Sequence, residues 1–251
     1  MQFFFLHNPK AGGSALRSFL INTGAEAGIA PVFGNAPNEY AAMKDGLADF
    51  AGHGHYFGHY GFEVYQAIGR PDHALITNFR DPVRRIHSLY RYWRNNVDPA
   101  ALGGLHPRDA AVVQSAQALP FADFIRQDSP ELRVYTHNFH ARQLHRDGWR
   151  MEVLDALALE RIKHRISAMP WFYIAESPEV SLHLFRKEFG VGADRSIARE
   201  NVSTGPIEAI SAADVDYITA HNRYDYAIYA HAWREQAERL ATPRELYAAA
   251  G

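Results

Sequence analysis

The feature that most constrains this chain is a short apolar run that ends at a glycine turn and passes directly into a helical pattern. Residues 3–7 suit a buried strand, and residues 14–20 have helical spacing with Ser14 as the start signal. The same order recurs where the apolar run 74–79 meets an Arg-Asp-Pro turn and a helix over 83–95. Strands that alternate with helices in this way predict an α/β fold with a mainly parallel sheet.

The rest of the chain continues the alternation without an internal repeat or a low-complexity tract. A third strand is predicted at 171–175. Loops are predicted over 31–38, over 96–119, where prolines and glycines cluster, and over 190–210. The further helices are predicted over the ranges 39–50, 120–127, 131–145, 152–168, 178–189 and 212–240, the last with a break near Asn222. Because no linker divides the chain, we expect residues 1–251 to form a single domain.

Composition excludes several kinds of site. The chain has 251 residues and no cysteine, which excludes a disulfide framework, a thiolate zinc site, an iron–sulfur cluster and a cysteine nucleophile. Its 26 basic and 28 acidic side chains give a formal charge of −2. Dedicated nucleic-acid binders are normally strongly basic, so no nucleic-acid partner is expected.

No segment has the pattern of a membrane span or of an export signal. The apolar run 3–6 is far too short for the core of a signal peptide, and no basic stretch precedes it. No stretch approaches the roughly 18–20 apolar residues that a spanning helix needs. We therefore expect a soluble chain without a membrane span, located in the cytoplasm.

The first turn, Asn8-Pro9-Lys10-Ala11-Gly12-Gly13-Ser14, has the composition of an anion-binding loop. The N–H groups at a helix start and the helix dipole attract an anion, glycines let the backbone approach it, and lysine adds a positive charge. The loop is not a Walker A motif, because in that motif the lysine follows the last glycine. A plain strand-to-helix turn with a surface lysine is the alternative.

A second candidate site follows the second strand. Between positions 80 and 94 the chain has five arginines and one acid, which is a local charge of +4. Arg80 stands at the carboxyl end of the strand, where open α/β sheets bind ligands. Together with the hydroxyl of Ser88 on the following helix, an arginine suits a second phosphate. The alternative, a solvated basic helix face, is expected for Arg94 and stays open for Arg85.

The two segments together resemble the cofactor motifs of sulfotransferases that use 3′-phosphoadenosine 5′-phosphosulfate (PAPS). The chain has H-x-P-K-x-G-G-S after its first strand and R-D-P-x-x-R-x-x-S-x-Y after its second. These motifs are most similar to those of the group that includes heparan-sulfate 2-O-sulfotransferase and many short bacterial relatives. Weaker likenesses, at 138–144 and 171–190 among others, extend the resemblance over nearly the whole chain. It implies a P-loop-NTPase-like three-layer fold, in which helices flank a central, mainly parallel sheet.

The resemblance also implies which residues hold the cofactor. The first loop would grip the 5′-phosphosulfate, and Arg80 and Ser88 would hold the 3′-phosphate. Asn201 and Ser203 are expected to reach the cofactor from the late loop. The residues assigned to it around the first turn are Pro9, Lys10, Ala11, Gly12, Gly13, Ser14 and Ala15. A common form of the family motif has hydroxyl residues where this chain has Ala11 and Ala15, so some hydroxyl contacts to the cofactor are missing.

Sulfuryl transfer to a hydroxyl is an in-line displacement that leaves 3′-phosphoadenosine 5′-phosphate (PAP). Lys10 would neutralise the oxygen that bridges sulfur and phosphorus, and a histidine would act as general base. The family carries a Gly-His pair roughly twenty residues before its R-D-P motif, and the resemblance implies that this histidine is the base. Both His55 and His59 follow a glycine; His59, 21 residues before Arg80, is the first choice, and His55, 25 residues before it, is the second.

Two other interpretations of this histidine cluster stay open. His53, His55 and His59 share parity, so a strand would put them on one face, where they could bind a metal. They could also be polar residues of a glycine-rich loop. The proposed chemistry itself requires no metal.

The acceptor is expected to be a hydroxyl-bearing molecule, a glycan or a small molecule. Residues 133–165 have seven basic and four acidic side chains, and with Arg91 and Arg94 they could line a groove for an anionic glycan; the alternative is a solvated face of paired helices. Several aromatic residues could instead stack on a sugar or enclose a lipid or a phenol: Tyr56, Tyr60, Phe62, Tyr92 and Trp93. Two other functions stay open, a P-loop kinase or nucleotide hydrolase and a non-catalytic module that binds PAP.

Overall fold

The computed structural model of the chain describes residues 2–25, 31–34, 54–191, 197 and 209–242. The strands of this part form one parallel sheet in the order β2-β3-β1-β4-β5. They are β1 Gln2–Leu6, β2 Pro31–Gly34, β3 His55–Gly58, β4 His73–Phe79 and β5 Tyr173–Ile174. Because the strands run parallel, the turns that follow them lie at one edge of the sheet, where sites of α/β proteins form.

Helices connect these strands and make up most of the second half of the described chain. In chain order they are α1 Gly13–Ala25, α2 Phe62–Ile68, α3 Pro82–Asn96, α4 Pro107–Ala118, α5 Phe121–Ile125, α6 Pro130–Thr136, α7 Phe139–His145, α8 Ala156–Ala168, α9 Pro178–Phe189, α10 Ala212–His221 and α11 Arg223–Ala241. A 3-10 helix covers Pro99–Gly104. Local signals start several of them: Asp81 accepts a hydrogen bond from the N–H of Arg84 at 2.9 Å, and Pro82 occupies the first turn of α3.

The sheet is the middle layer of three. Successive side chains of β1 point to opposite faces, as in any strand. Phe4 and Leu6 pack in one apolar cluster with α7, α8 and α11. Phe3 and Phe5 pack in another with α1 and α9. The α/β class and the parallel sheet flanked by helices are therefore confirmed.

A further apolar cluster lies beside the sheet and is built from helices. It contains Trp93 of α3, Val113 of α4, Phe124 of α5, Tyr135 of α6 and Ile218 of α10. Since α3 starts where β4 ends, this cluster adjoins the carboxyl edge of the sheet. It supplies an apolar wall next to the turns that carry the predicted site residues.

Most of the predicted elements are confirmed, including the strands β1 and β4 and the helices α1, α3, α8 and α9. The helical stretch at the end breaks at Asn222, as predicted. The stretch 131–145 is two helices, because Asn138 between them adopts a left-handed backbone with φ 48°. Its side chain accepts from the N–H of Tyr224 at 2.9 Å, while its own N–H donates to Asn222 at 2.8 Å, so the two helix breaks stabilise each other.

Two predicted loops are wrong. Residues 31–34 form β2, which pairs with β3. Residues 96–119 contain the 3-10 helix and α4, because Pro99 and Pro107 stand at helix starts rather than in irregular chain, and Val112, Val113 and Ala116 of α4 are buried. The strand β3 and the helix α2 were not predicted. The predicted helix at 39–50 and most of the predicted loop at 190–210 lie outside the described residues.

Candidate active site

The glycine loop, residues 8–14, leaves β1 and enters α1 through two left-handed positions. Lys10 has φ 64° and Gly12 has φ 80°. Only glycine adopts this region without cost, so the conformation of Lys10 must be held by its surroundings. Successive N–H groups in such a turn, together with the start of α1, form a concave surface that favours anions.

Asn78, the penultimate residue of β4, holds the glycine loop. Its Oδ1 accepts from the N–H of Asn8 at 2.7 Å, and its Nδ2 donates to the carbonyls of Asn8 at 3.2 Å and Ala11 at 2.9 Å. Asn78 is fully buried, so these bonds are shielded from water. The neighbouring strand therefore fixes the loop. This role of Asn78 was not predicted, although a single amide in the otherwise apolar run ALITNF was a signal for it.

Gly13 is required by the side chain of His7. A Cβ atom on Gly13 would lie 1.9 Å from Nε2 of His7, far inside van der Waals contact. The second glycine of the motif thus makes room for an imidazole. His7 was not among the predicted site residues. Its place as the histidine of the H-x-P-K-x-G-G-S pattern was the signal that could have indicated it.

Arg80 and Lys10 bring two positive charges together at the loop. Nη1 of Arg80 donates to the carbonyl oxygen of Lys10 at 2.7 Å, and Nζ of Lys10 lies 4.1 Å from the centroid of the Tyr92 ring. Burial, followed by the charge of Arg80, lowers the pKa of Lys10 to about 8. Two cations held this close favour an anion between them, because an anion offsets both their repulsion and their loss of solvent.

These residues line one cleft of about 530 Å³. Of the predicted site residues, the cleft brings together Pro9, Lys10, Gly12, Gly13, Ser14, Ala15, His59, Arg80 and Ser88. Ala11 is fully buried and is not part of the lining. Asn201 and Ser203 lie outside the described residues.

The two candidate histidines have different surroundings. His59 follows β3 directly and lines the cleft, with its ring centroid 4.7 Å from that of His7. His55 begins β3, about 10 Å from the end of the strand by the usual strand rise. Its Nδ1 accepts from the N–H of Phe3 at 3.1 Å, and its ring stacks on Phe3 and Phe57 in the core. Burial lowers the pKa of His55 to about 4.

The ring of His7 packs beside that of His59, and protonation of His7 is disfavoured. Burial is the main reason that the pKa of His7 lies well below its ordinary value, and His59, Arg17 and Lys10 add to the effect. His59 is the histidine that follows β3 and lines the cleft, so its position makes it the candidate for a general base. Across the part of the chain that the structure describes, no group of three or more His, Asp or Glu side chains could hold a metal ion. His53, the third member of the predicted cluster, is not among these residues.

The arginines of the 80–94 segment separate in the fold. Arg80 lines the cleft. Arg85 is buried, lies 3.8 Å from Asp225 and donates to the carbonyl of Tyr135 at 3.0 Å, so it is not on a solvated face. Arg94 donates to the carbonyls that end α4, at 3.0 and 2.7 Å. Of the arginines in this basic segment, Arg80 therefore contributes to the cleft, whereas Arg85 and Arg94 stabilise the fold.

The cleft continues from His59 along an aromatic wall. Nε1 of Trp149 donates to the carbonyl of His59 at 3.0 Å, and the Trp149 ring packs edge-on against Tyr135 at 5.5 Å. Tyr135 in turn packs edge-on against Trp93 at 5.0 Å. The hydroxyl of Tyr135 donates to Asp109, the one carboxylate among the described lining residues.

No family model matches this chain, and no curated protein matches it significantly. No helix of the described residues is long and apolar enough to cross a membrane.

Proposed function

We propose that this protein is a PAPS-dependent sulfotransferase that transfers a sulfuryl group to a hydroxyl acceptor. The observation that carries the proposal is the convergence, in one cleft, of the glycine loop, Arg80, Ser88 and His59. These residues come from the ends of β1, β4 and β3 and from α3. The same residues carry the resemblance of the sequence to sulfotransferases.

The donor set suits a ligand with two separate anionic groups. The loop N–H groups, Ser14 and Lys10 offer donors for a phosphosulfate at one position. Arg80 and Ser88 offer a cation and a hydroxyl for a phosphate at a second position. The cations in the described lining are Lys10, Arg17 and Arg80, and all lie around the loop. PAPS, when bound, supplies the sulfuryl group and leaves as PAP.

The residues of the chain would share the work of an in-line displacement. His59 takes the proton from the acceptor hydroxyl while the acceptor oxygen bonds to sulfur. Lys10 stabilises the negative charge that develops on the bridging oxygen as its bond to sulfur breaks. The loop would hold the phosphosulfate and Arg80 the 3′-phosphate, so that the sulfur atom lies in line with the attacking oxygen. Most of the acceleration would therefore come from positioning and charge.

Calorimetry with PAP tests the binding half of this proposal. The wild type should bind PAP, and Arg80→Ala should lose binding by tenfold or more, because a charge-assisted contact is worth about 1.5–3 kcal/mol. Arg223→Ala is the control for replacement of an arginine, since Arg223 is exposed and lies outside the cleft. No PAP binding by the wild type at high micromolar concentration would contradict the proposal. Binding of ATP that depends on Mg²⁺, without binding of PAP, would favour a kinase or hydrolase.

Mass spectrometry of acceptors incubated with PAPS tests the chemical half. His59→Ala should bind PAP with unchanged affinity and transfer no sulfuryl group. Full activity in that variant would assign the base elsewhere, and His7 is then the first group to examine because its ring adjoins that of His59. PAP binding without transfer to any acceptor would indicate a non-catalytic binding module.

A further inference from the structure

The half of the cleft beyond His59 is apolar and aromatic. Its wall consists of Trp93, Tyr135 and Trp149, with Val97 and Leu105 beside them. The two tryptophans and the tyrosine meet edge-on in a continuous row, with ring centroids 5.0 and 5.5 Å apart. A cleft lined by such aromatic side chains favours apolar aromatic ligands, because contacts between rings add to the burial of apolar surface.

We infer that the acceptor is an uncharged phenol, whose ring lies against this wall while its hydroxyl meets His59. The inference rests on the proposed sulfotransferase function and adds the class of acceptor. The wall adjoins the base, because Trp149 donates to the backbone carbonyl of His59 and the centroids of the two rings lie 6.1 Å apart. A ring placed against Trp149 therefore has a fixed relation to the group that takes the proton.

Charge disfavours the anionic glycan that the sequence suggested. The cations in the described lining lie around the glycine loop, and the charged group on the aromatic side is the carboxylate of Asp109. A sulfated or uronic-acid chain placed there would meet a like charge, which raises the cost of binding. Asp109 and Tyr135 satisfy each other by a hydrogen bond, so the aromatic side offers little that would bind a polar sugar.

The basic stretch 133–165 is used elsewhere in the fold. None of its seven cations lines the cleft. Arg142 is buried and donates to backbone carbonyls, one of them that of Val134 at 2.5 Å. Arg165 donates to the carbonyls of Leu144 and His145 at 2.6 Å and lies over the Phe62 ring. Arg133 pairs with Asp128 and Lys163 with Glu160.

Proton transfer also favours a phenol. A phenol has a pKa of about 10, whereas an aliphatic hydroxyl is far less acidic. A histidine base takes a proton more readily from the group whose pKa lies nearer its own. In the balanced step the phenol oxygen bonds to sulfur, the bond from sulfur to the 5′-phosphate oxygen breaks, and the phenol proton passes to His59.

The test compares two acceptors, 2-naphthol and a desulfated heparin oligosaccharide, in the presence of PAPS. We expect sulfated naphthol and no sulfated oligosaccharide by mass spectrometry. A second readout does not depend on turnover: 2-naphthol added to the complex with PAP should quench tryptophan fluorescence, because Trp93 and Trp149 line the site. If PAP binds but naphthol gives neither product nor quenching, the inference is overturned and the proposed function stands. If PAP itself does not bind, the proposed function fails.

The variant Leu105→Lys tests whether the aromatic half of the cleft is the acceptor site. A cation in the aromatic half should raise the KM for 2-naphthol by about tenfold or more, with PAP affinity changed less than twofold. Leu102→Lys is the control, since Leu102 packs against the same apolar cluster but lies outside the cleft. An equal rise in KM for both variants would count against the aromatic half as the acceptor site. Sulfation of the oligosaccharide by the wild type, without sulfation of naphthol, would overturn the inference.

Discussion

At the scale of single residues, the site depends on side chains that satisfy several demands at once. A side chain at position 13 would collide with the ring of His7, so this position is a glycine. Lys10 combines a left-handed backbone, partial burial and a neighbouring cation. Each of these features costs free energy in the absence of a ligand, and such costs are typical of functional sites.

The titration of Lys10 gives the first prediction at this scale. Its pKa of about 8 means that the free protein loses this charge as the pH rises through 8. Because an anionic ligand needs the charged form, PAP affinity should fall above pH 8 by up to about tenfold per pH unit. Calorimetry between pH 7 and pH 10 measures this decline. In Lys10→Arg the decline should disappear, since arginine stays charged throughout; an identical pH profile for both proteins would contradict the assignment.

Deprotonation of Lys10 should lower PAP affinity as the pH rises, but it should increase the stability of the free protein. The folded pKa of Lys10 is below the unfolded value of 10.5, so the unfolded chain binds more protons between pH 8 and pH 10.5. Its contribution to the free energy of unfolding therefore rises with pH across that window. Urea denaturation of the wild type and of Lys10→Arg would separate this contribution from those of other groups.

At the scale of elements, the site is a property of neighbouring strand ends. β1 supplies the glycine loop, β3 is followed by His59, and β4 supplies Asn78 and leads into Arg80. Asn78 joins β4 to the loop that follows β1, because its side chain bonds to Asn8 at the start of the loop and to Ala11 in its middle. The loop conformation therefore belongs to the pair of strands and not to the loop sequence alone.

Removal of this amide is the second prediction. In Asn78→Ala, backbone groups of Asn8 and Ala11 lose their buried partners, so the free energy of unfolding should fall by about 2–4 kcal/mol. PAP affinity should fall as well, because the loop is no longer held in its left-handed conformation. Asn96→Ala, at the exposed end of α3, is the control for replacement of an asparagine. Urea denaturation and calorimetry provide the two measurements, and wild-type values in both would show that the loop holds itself.

At the scale of the whole molecule, the local charge at the cleft is opposite in sign to the net charge of the chain. The chain carries −2 overall, yet the described cations of the cleft surround the glycine loop. Other arginines are buried as structural parts, and Arg85 is the clearest case, since it joins α3 to α11 through Asp225. Burial lowers the pKa of Arg85 and raises that of Asp225, so each charge depends on the other.

The third prediction concerns this pair. Asp225→Ala leaves the Arg85 charge buried without its partner, which typically costs about 3–5 kcal/mol. Asp225→Asn should cost less, because the amide oxygen can still accept from the N–H of Ala141, which lies 2.8 Å away. Asp216→Ala is the control, at an exposed position of α10. Chemical denaturation gives the three values; a loss for Asp225→Ala no larger than that for Asp216→Ala would mean that solvent or another group compensates Arg85.

The sequence by itself determined the class of fold and the main features of the site. Apolar periodicity and turn residues are local signals, and they identified β1, β4, α1 and α3 and the turns between them. The glycine loop and Arg80 could be chosen because each follows a strand directly, and Ser88 because it lies on the helix that follows Arg80. The helix over 107–118 was missed because proline, which breaks a helix interior, also starts a helix.

The tertiary structure alone decided which groups meet. His55 and His59 have the same local context in sequence, yet one lies in the core and the other in the cleft, because β3 ends between them. Asn78 and His7 join the site, and Arg85 leaves it, through contacts with residues far away in the chain. Such contacts depend on strand pairing and helix packing, which bring distant residues together and which no local pattern encodes.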